Sequence, residues 1–124
     1  MRQARLPSDE LRKLLTGSSA TPWLPLLAER VHLRLSNRLV AIGIEQAMAE
    51  LTFLFSNVGA VGSSILDIWS IPSGMVIETD LMPRTGVPRH PLVPCAVIVH
   101  QNRAGCLQDI RFYFDPNPLF TCLH

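Results

Sequence analysis

Residues 75–82, 92–100 and 106–114 are three strand-length segments in succession, each closed by a break. The first alternates around Val76, Glu78, Asp80 and Met82, the second is almost wholly apolar, and the third alternates around Ile110, Phe112 and Phe114. Residues 83–91 hold Gly86 and several prolines, and residues 101–105 read Gln-Asn-Arg-Ala-Gly. Proline gives a sheet no ladder donor and glycine suits tight turns, so these breaks punctuate strands. A fourth segment, residues 64–71, meets the first across the turn signal Pro72-Ser73-Gly74. Strands joined by turns pair antiparallel, so the C-terminal half reads as an antiparallel meander.

The N-terminal half obeys a different period. Leu11, Leu14 and Leu15 follow Ser8, Asp9 and Glu10, and Gly17 comes next. Ser8 suits a cap, the acids suit the positive helix end and Gly17 suits the stop. Thr21-Pro22 opens a second expected helix with Trp23, Leu26 and Leu27 on its apolar face; Pro25 is close enough to the start to be tolerated. Residues 30–35 alternate Val31, Leu33 and Leu35 with His32 and Arg34, a half-buried strand. After Gly43, the residues Ile44, Ala47, Met48, Leu51, Leu54 and Phe55 recur at helical spacing, and Gly59 and Gly62 mark the way out. Helices first and a meander afterwards is the order of an α+β domain.

A chain of 124 residues fits one domain, here residues 1–124. Hydrophobic residues make up 48% and charged residues 17%, so some apolar surface is expected at a pocket or a subunit interface. The net charge is +1 with no basic stripe, which speaks against a nucleic-acid partner. Cys95, Cys106 and Cys122 are an odd set without paired spacing, read as free thiols, the first two in strands. No signal peptide and no membrane-length apolar run is found, so a cytoplasmic setting is expected. His90 and His124 have no partner spacing for a metal site, and no phosphate loop or nucleophile motif occurs.

The order helix, helix, strand, helix and four long strands, ending in "AGCLQDIRFYFDPNPLF", resembles the SnoaL-like proteins of the nuclear transport factor 2-like superfamily. The resemblance implies a cone: a strongly curved, mostly antiparallel sheet wrapped around about three N-terminal helices, with an open apolar cavity. It also implies a homodimer through the sheet. The relatives include ketosteroid isomerases, limonene epoxide hydrolases and polyketide cyclases, so the fold by itself names no reaction.

The isomerase pattern needs a Tyr on the first helical segments, an Asp near the end of the first strand and an Asp on the penultimate strand. Here Tyr113 is the only tyrosine and lies on the last strand, residues 34–37 offer no acid, and residues 95–98 read Cys-Ala-Val-Ile. The epoxide hydrolase pattern needs an Asp-Arg-Asp set, whose second Asp falls on Phe112. The cyclases use an Asp and in some members a His; His100 sits at a turn. In one orientation of residues 75–82, Ile77, Thr79 and Leu81 face inward and the acids between them face solvent; the epoxide hydrolase comparison instead turns Val76, Glu78, Asp80 and Met82 toward the cavity. Glu78 and Asp80 are then the candidate catalytic pair, crowded carboxylates of which one carries a proton as general acid or base. The expected ligand-binding residues are Trp23, Leu27, Arg34, Phe55, Trp69, Val76, Met82, Val97, Ile110 and Phe112. Asp109, Arg111 and Tyr113 share the opposite face of the last strand, expected at the surface or a dimer contact, and Asp115 opens an Asp-Pro turn.

Three functions follow as expectations. The first is binding of a small apolar molecule, with no cofactor. The second is an isomerase, cyclase or hydrolase working through Glu78 or Asp80. The third is a dimerising association module that uses the outer sheet face.

Overall fold

The computed structural model describes residues 7–17, 19–61, 65–84 and 92–120. It opens with helix α1 (Ser8–Thr16), a 3-10 helix (Thr21–Leu26), strand β1 (Leu27–Leu35) and the short β2 (Ala41–Ile42). Helix α2 (Ile44–Asn57) follows, then β3 (Val58–Val61), β4 (Asp67–Ile71), β5 (Gly74–Pro83), β6 (Val93–Gln101), β7 (Leu107–Phe114) and the single turn α3 (Asn117–Phe120). The seven strands form one sheet in the order β2-β1-β7-β6-β5-β3, with β4 added beside β5. All pairs are antiparallel except β1 with β7. That parallel pair joins the N-terminal strand to the end of the meander, a contact that no local pattern announces. Register shifts interrupt β1–β7, β3–β5 and β6–β7, and such irregularities bend strands and increase twist. The result is an α+β cone.

Two of the expected elements differ. The second helix is 3-10 rather than α, because Pro22 and Pro25 together remove two donors from six residues. Leu27, expected on that helix, begins β1 instead. Ser8 starts α1 without a side-chain capping bond; the chain enters through Pro7, whose carbonyl accepts from Leu11 N–H at 3.2 Å.

Register settles which side chains face inward. Ile77, Val97, Phe112 and Leu35 are successive partners across β5, β6, β7 and β1. Val99, Ile110 and Leu33 form the neighbouring row, and all seven are buried. The helices meet them with Leu11, Leu15, Leu51, Leu54 and Phe55, and the 3-10 helix contributes Trp23. At roughly 1.5–3 kcal/mol for each large apolar side chain removed from water, this one cluster is the main favourable term in folding.

Candidate functional site

Between the helices and the sheet, the interior is built almost wholly from hydrocarbon. Trp23, Leu27, Phe55, Val97, Ile110 and Phe112, six of the ten expected ligand-binding residues, lie in this core. The Trp23 ring is 0% exposed and stands 6.4 Å from the Phe112 ring, at an interplanar angle of 48°. Its indole Nε1 is buried and has no hydrogen-bond partner among the described residues. Among the described residues, the buried polar side chains are Thr79 and Gln101. Gln101 Nε2 donates to the Gly105 carbonyl at 2.7 Å, whereas the Thr79 hydroxyl reaches only the Asp80 carbonyl, at 3.4 Å. Cys95 also faces inward. Burial pushes its thiol up to about 12; the charge of Asp80 adds to this and a backbone hydrogen bond from Tyr113 opposes it. A thiol held neutral in this way is no nucleophile.

The remaining candidates lie on the other side of the sheet. Glu78 is exposed and Asp80 half-buried, while Ile77, Thr79 and Leu81 face the core. Of the two orientations open for β5, the structure takes the one with the acids in solvent, and Val76, Met82 and Trp69, expected at the ligand, go outward with them. The reason is pairing: Ile77 sits opposite Val97 and Thr79 opposite Cys95, so the inner face of β6 fixes the inner face of β5. Both faces of β5 carry apolar residues at their ends, so the strand alone does not decide. The signal that does is β6, where Pro94 and His100 alternate with Val93, Cys95, Val97 and Val99. Arg34 is also outside, on the exposed face of β1. Glu78 and Asp80 line an outer cleft of about 250 Å³ with Leu66, Pro94 and Tyr113, away from the oily interior that their expected role requires.

The outer face thus has its own order. Trp69, Val76, Ile98, Arg111 and Arg34 form one row across five strands. Asp67, Glu78, Ala96 and Tyr113 form the next. Asp109 lies between His100 of β6 and His32 of β1. Arg111 donates to the Asp109 carboxylate from Nε and Nη2, both at 3.3 Å, and to the Tyr113 hydroxyl from Nη1 at 3.5 Å. These bonds hold the Arg111 guanidinium in its charged form, the Tyr113 bond contributing most. Asp115 accepts the Asn117 N–H at 3.1 Å, the Asx-type turn expected there.

Clefts also open beside the helices. One, of about 450 Å³, lies between the 3-10 helix and α2, and its walls include the core residues Ala20 and Phe55 with Met48, Thr52 and Arg84. Another, about 640 Å³, lies between the turn after β1 and the start of α2. There Arg38 grips Glu50 through two bonds of 2.8 and 2.9 Å and stacks 4.1 Å over the Phe53 ring. Among the described residues, no group of His, Cys, Asp and Glu is arranged to hold a metal, and no helix is long and apolar enough to cross a membrane. Cys122, His90 and His124 lie outside the described residues.

No family model and no curated protein sequence matches the chain. Solved structures do. A protein described as a SnoaL-like polyketide cyclase from Jannaschia sp. CCS1 is 17% identical, with a TM-score of 0.72 over 96% of this chain and 95% of that one. A protein of ketosteroid isomerase-like fold from Catenulispora acidiphila, solved in complex with trimethylamine, is 15% identical, with a TM-score of 0.72 over 92% and 88%. A nuclear transport factor 2-like protein of unknown function from Cytophaga hutchinsonii is 14% identical, with a TM-score of 0.66 over 97% and 99%. At these identities the likeness is one of fold, and the fold is SnoaL-like and nuclear transport factor 2-like.

Proposed function

We propose that this chain of SnoaL-like fold binds a small, largely apolar molecule between its helices and its sheet, with the Trp23 indole N–H as polar anchor. The observation that carries the reading is the Nε1 donor, buried in hydrocarbon with no acceptor among the described residues. Leaving such a group unpaired costs about 1–3 kcal/mol. A carbonyl or hydroxyl oxygen of a ligand seated beside the indole recovers that cost, and the apolar side chains packed around Trp23, which move apart to admit it, suit a hydrocarbon body. The way in is the cleft between the 3-10 helix and α2, whose walls include the core residues Ala20 and Phe55. The isomerase-like neighbour holds a small organic molecule, trimethylamine, which is compatible with this use of the fold.

Binding is favoured over proton transfer. The inward polar groups among the described residues are the indole, the Thr79 hydroxyl, the Gln101 amide and a neutral thiol. None moves a proton readily near neutral pH.

Thermal unfolding against a panel of apolar ketones, alcohols and polycyclic aromatics tests the reading. A ligand at about a hundred times its dissociation constant adds about 2.7 kcal/mol to stability. Ketones and alcohols are expected to raise Tm in the natural chain, and hydrocarbons of the same shape less. Trp23→Phe is expected to remove that difference while the variant still unfolds cooperatively. A panel without effect on the natural chain contradicts the reading.

A second reading is favoured by one feature, the apolar row of Trp69, Val76 and Ile98 on the outer face, with Trp69 46% exposed. Two copies meeting on this row form a homodimer through the sheet. A stable one buries above roughly 1,000 Å². Light scattering is expected to give two copies that Ile98→Asp separates; a monomer at all concentrations removes this reading.

A further inference from the structure

We propose that the outer face holds a second site, between β1 and β7, that takes a small organic anion: a carboxylate or phosphate monoester gripped by Arg34 and Arg111. The two arginines are direct register partners on neighbouring parallel strands. Both line one cleft of about 430 Å³, together with Asn37, Tyr113 and Phe114.

Like charges opposite each other destabilise a sheet, and charges near them decide how far. Asp109 is the one carboxylate bonded to this pair among the described residues, and it serves Arg111. Arg34 donates from Nε to the Arg38 carbonyl at 3.0 Å, a bond that fixes its guanidinium without neutralising it. The turn that supplies this carbonyl is itself pinned. Ser36, in the left-handed region at φ 53°, donates from its amide to the Phe112 carbonyl and from its hydroxyl to the Phe114 carbonyl, both at 2.7 Å. So β7 holds the turn, the turn holds Arg34, and Tyr113 and Asp109 hold Arg111.

A pair of oriented guanidinium forks with one net positive charge beyond Asp109 matches the planar oxygens of a carboxylate or the oxygens of a phosphate. The exposed Tyr113 ring offers a surface for an aromatic or aliphatic body beside the anionic group. The acids Glu78 and Asp80 lie beyond Tyr113, in the neighbouring cleft, and turn away a second anion from that side. This site stands apart from the interior one and does not depend on it.

The test is titration of the full chain with phenyl phosphate, benzoate and inorganic phosphate, followed by backbone amide shifts. Phenyl phosphate is expected to bind with a dissociation constant of roughly 1 mM or tighter at low ionic strength. It is expected to shift Asn37, Arg111, Tyr113 and Phe114 and to weaken as salt is added. Arg34→Gln and Arg111→Gln are each expected to weaken binding at least about tenfold, and Arg34→Lys less, because it keeps the charge but loses the planar fork. Arg103→Gln, on the β6–β7 turn, is expected to change nothing. Tyr113→Phe keeps both positive charges and the ring but removes the hydroxyl that holds Arg111, and is expected to weaken binding severalfold, which decides the matter should an arginine variant misfold. Unchanged affinity in Arg34→Gln, or no binding by the natural chain, overturns the proposal. So does a dimer that Arg34→Gln dissociates, which assigns the cleft to a second copy.

Discussion

Cys95 is the residue whose surroundings most change its chemistry. Its thiol is raised from 9.0 to about 12, chiefly by burial. Below pH 9 the folded and unfolded chains both hold the proton, and the thiol adds no pH dependence. Above pH 9 the unfolded chain loses the proton first, so stability falls as pH rises toward 12. Urea unfolding across that range is expected to show the fall, and Cys95→Ala is expected to make it shallower. Equal slopes would mean that the thiol is hydrated. Arg38 makes a contrasting case, a charged group whose grip is structural. It donates to Glu50 from Nε and Nη2, covers Phe53, and keeps side-chain exposures of 38% and 15% for the pair. Its guanidinium is held in the charged form, chiefly by the Glu50 hydrogen bond. Solvent screens such a pair, so a double-mutant cycle of Arg38→Met with Glu50→Gln is expected to give a coupling of about 1 kcal/mol that shrinks in salt.

At the scale of elements, the β4–β5 hairpin is held at its turn by β6. Ser73 takes φ 61° in the two-residue turn, and its carbonyl accepts the Gln101 N–H at 2.7 Å. Strand β6 therefore lies close against Gly74, where a Cβ would come within 2.0 Å of the Val99 carbonyl oxygen. Gly74→Ala forces backbone to move and is expected to cost roughly 2–3 kcal/mol. Gly17→Ala, after α1, meets nothing closer than 3.4 Å and needs no positive φ, so it is expected to change stability by less than about 0.5 kcal/mol. Equal losses in chemical unfolding would contradict this account of the hairpin.

The same hairpin shows what a sequence discloses. Turn chemistry at Pro72-Ser73-Gly74 and at residues 101–105 marked the ends of β4 to β7, because proline, glycine and asparagine act locally; Asn102 Oδ1 accepts from both Ala104 and Cys106 at 3.0 Å. The inner face of β5 was not legible from β5, since Met75 and Leu81 balance Val76 and Met82. It needed the partner strand, and the borrowed enzyme register chose the wrong side for Glu78 and Asp80. The β1–β7 pairing was hidden for a related reason: it joins residues more than seventy positions apart, and period-2 alternation says nothing of which strands meet. The arginine cleft is a product of that pairing, which is why the sequence offers Arg34 and Arg111 only separately, one as a ligand contact and the other as a surface or dimer contact.

For the molecule as a whole, the helices and the inner sheet face enclose a hydrocarbon interior in which the Trp23 indole has no acceptor among the described residues, and the outer face of the sheet carries charged side chains. The proposed function turns on whether a ligand reaches that donor. The chain has two tryptophans, so a nitrogen-15-labelled sample gives two indole N–H signals, from buried Trp23 and half-exposed Trp69. Titration with the ketone that most raises Tm is the direct measurement. The Trp23 signal is expected to move downfield with saturation, as an N–H does on gaining an acceptor, while the Trp69 signal stays in place. A Trp23 signal that does not move under any ligand, or one that moves no more than Trp69, would contradict binding inside the cone.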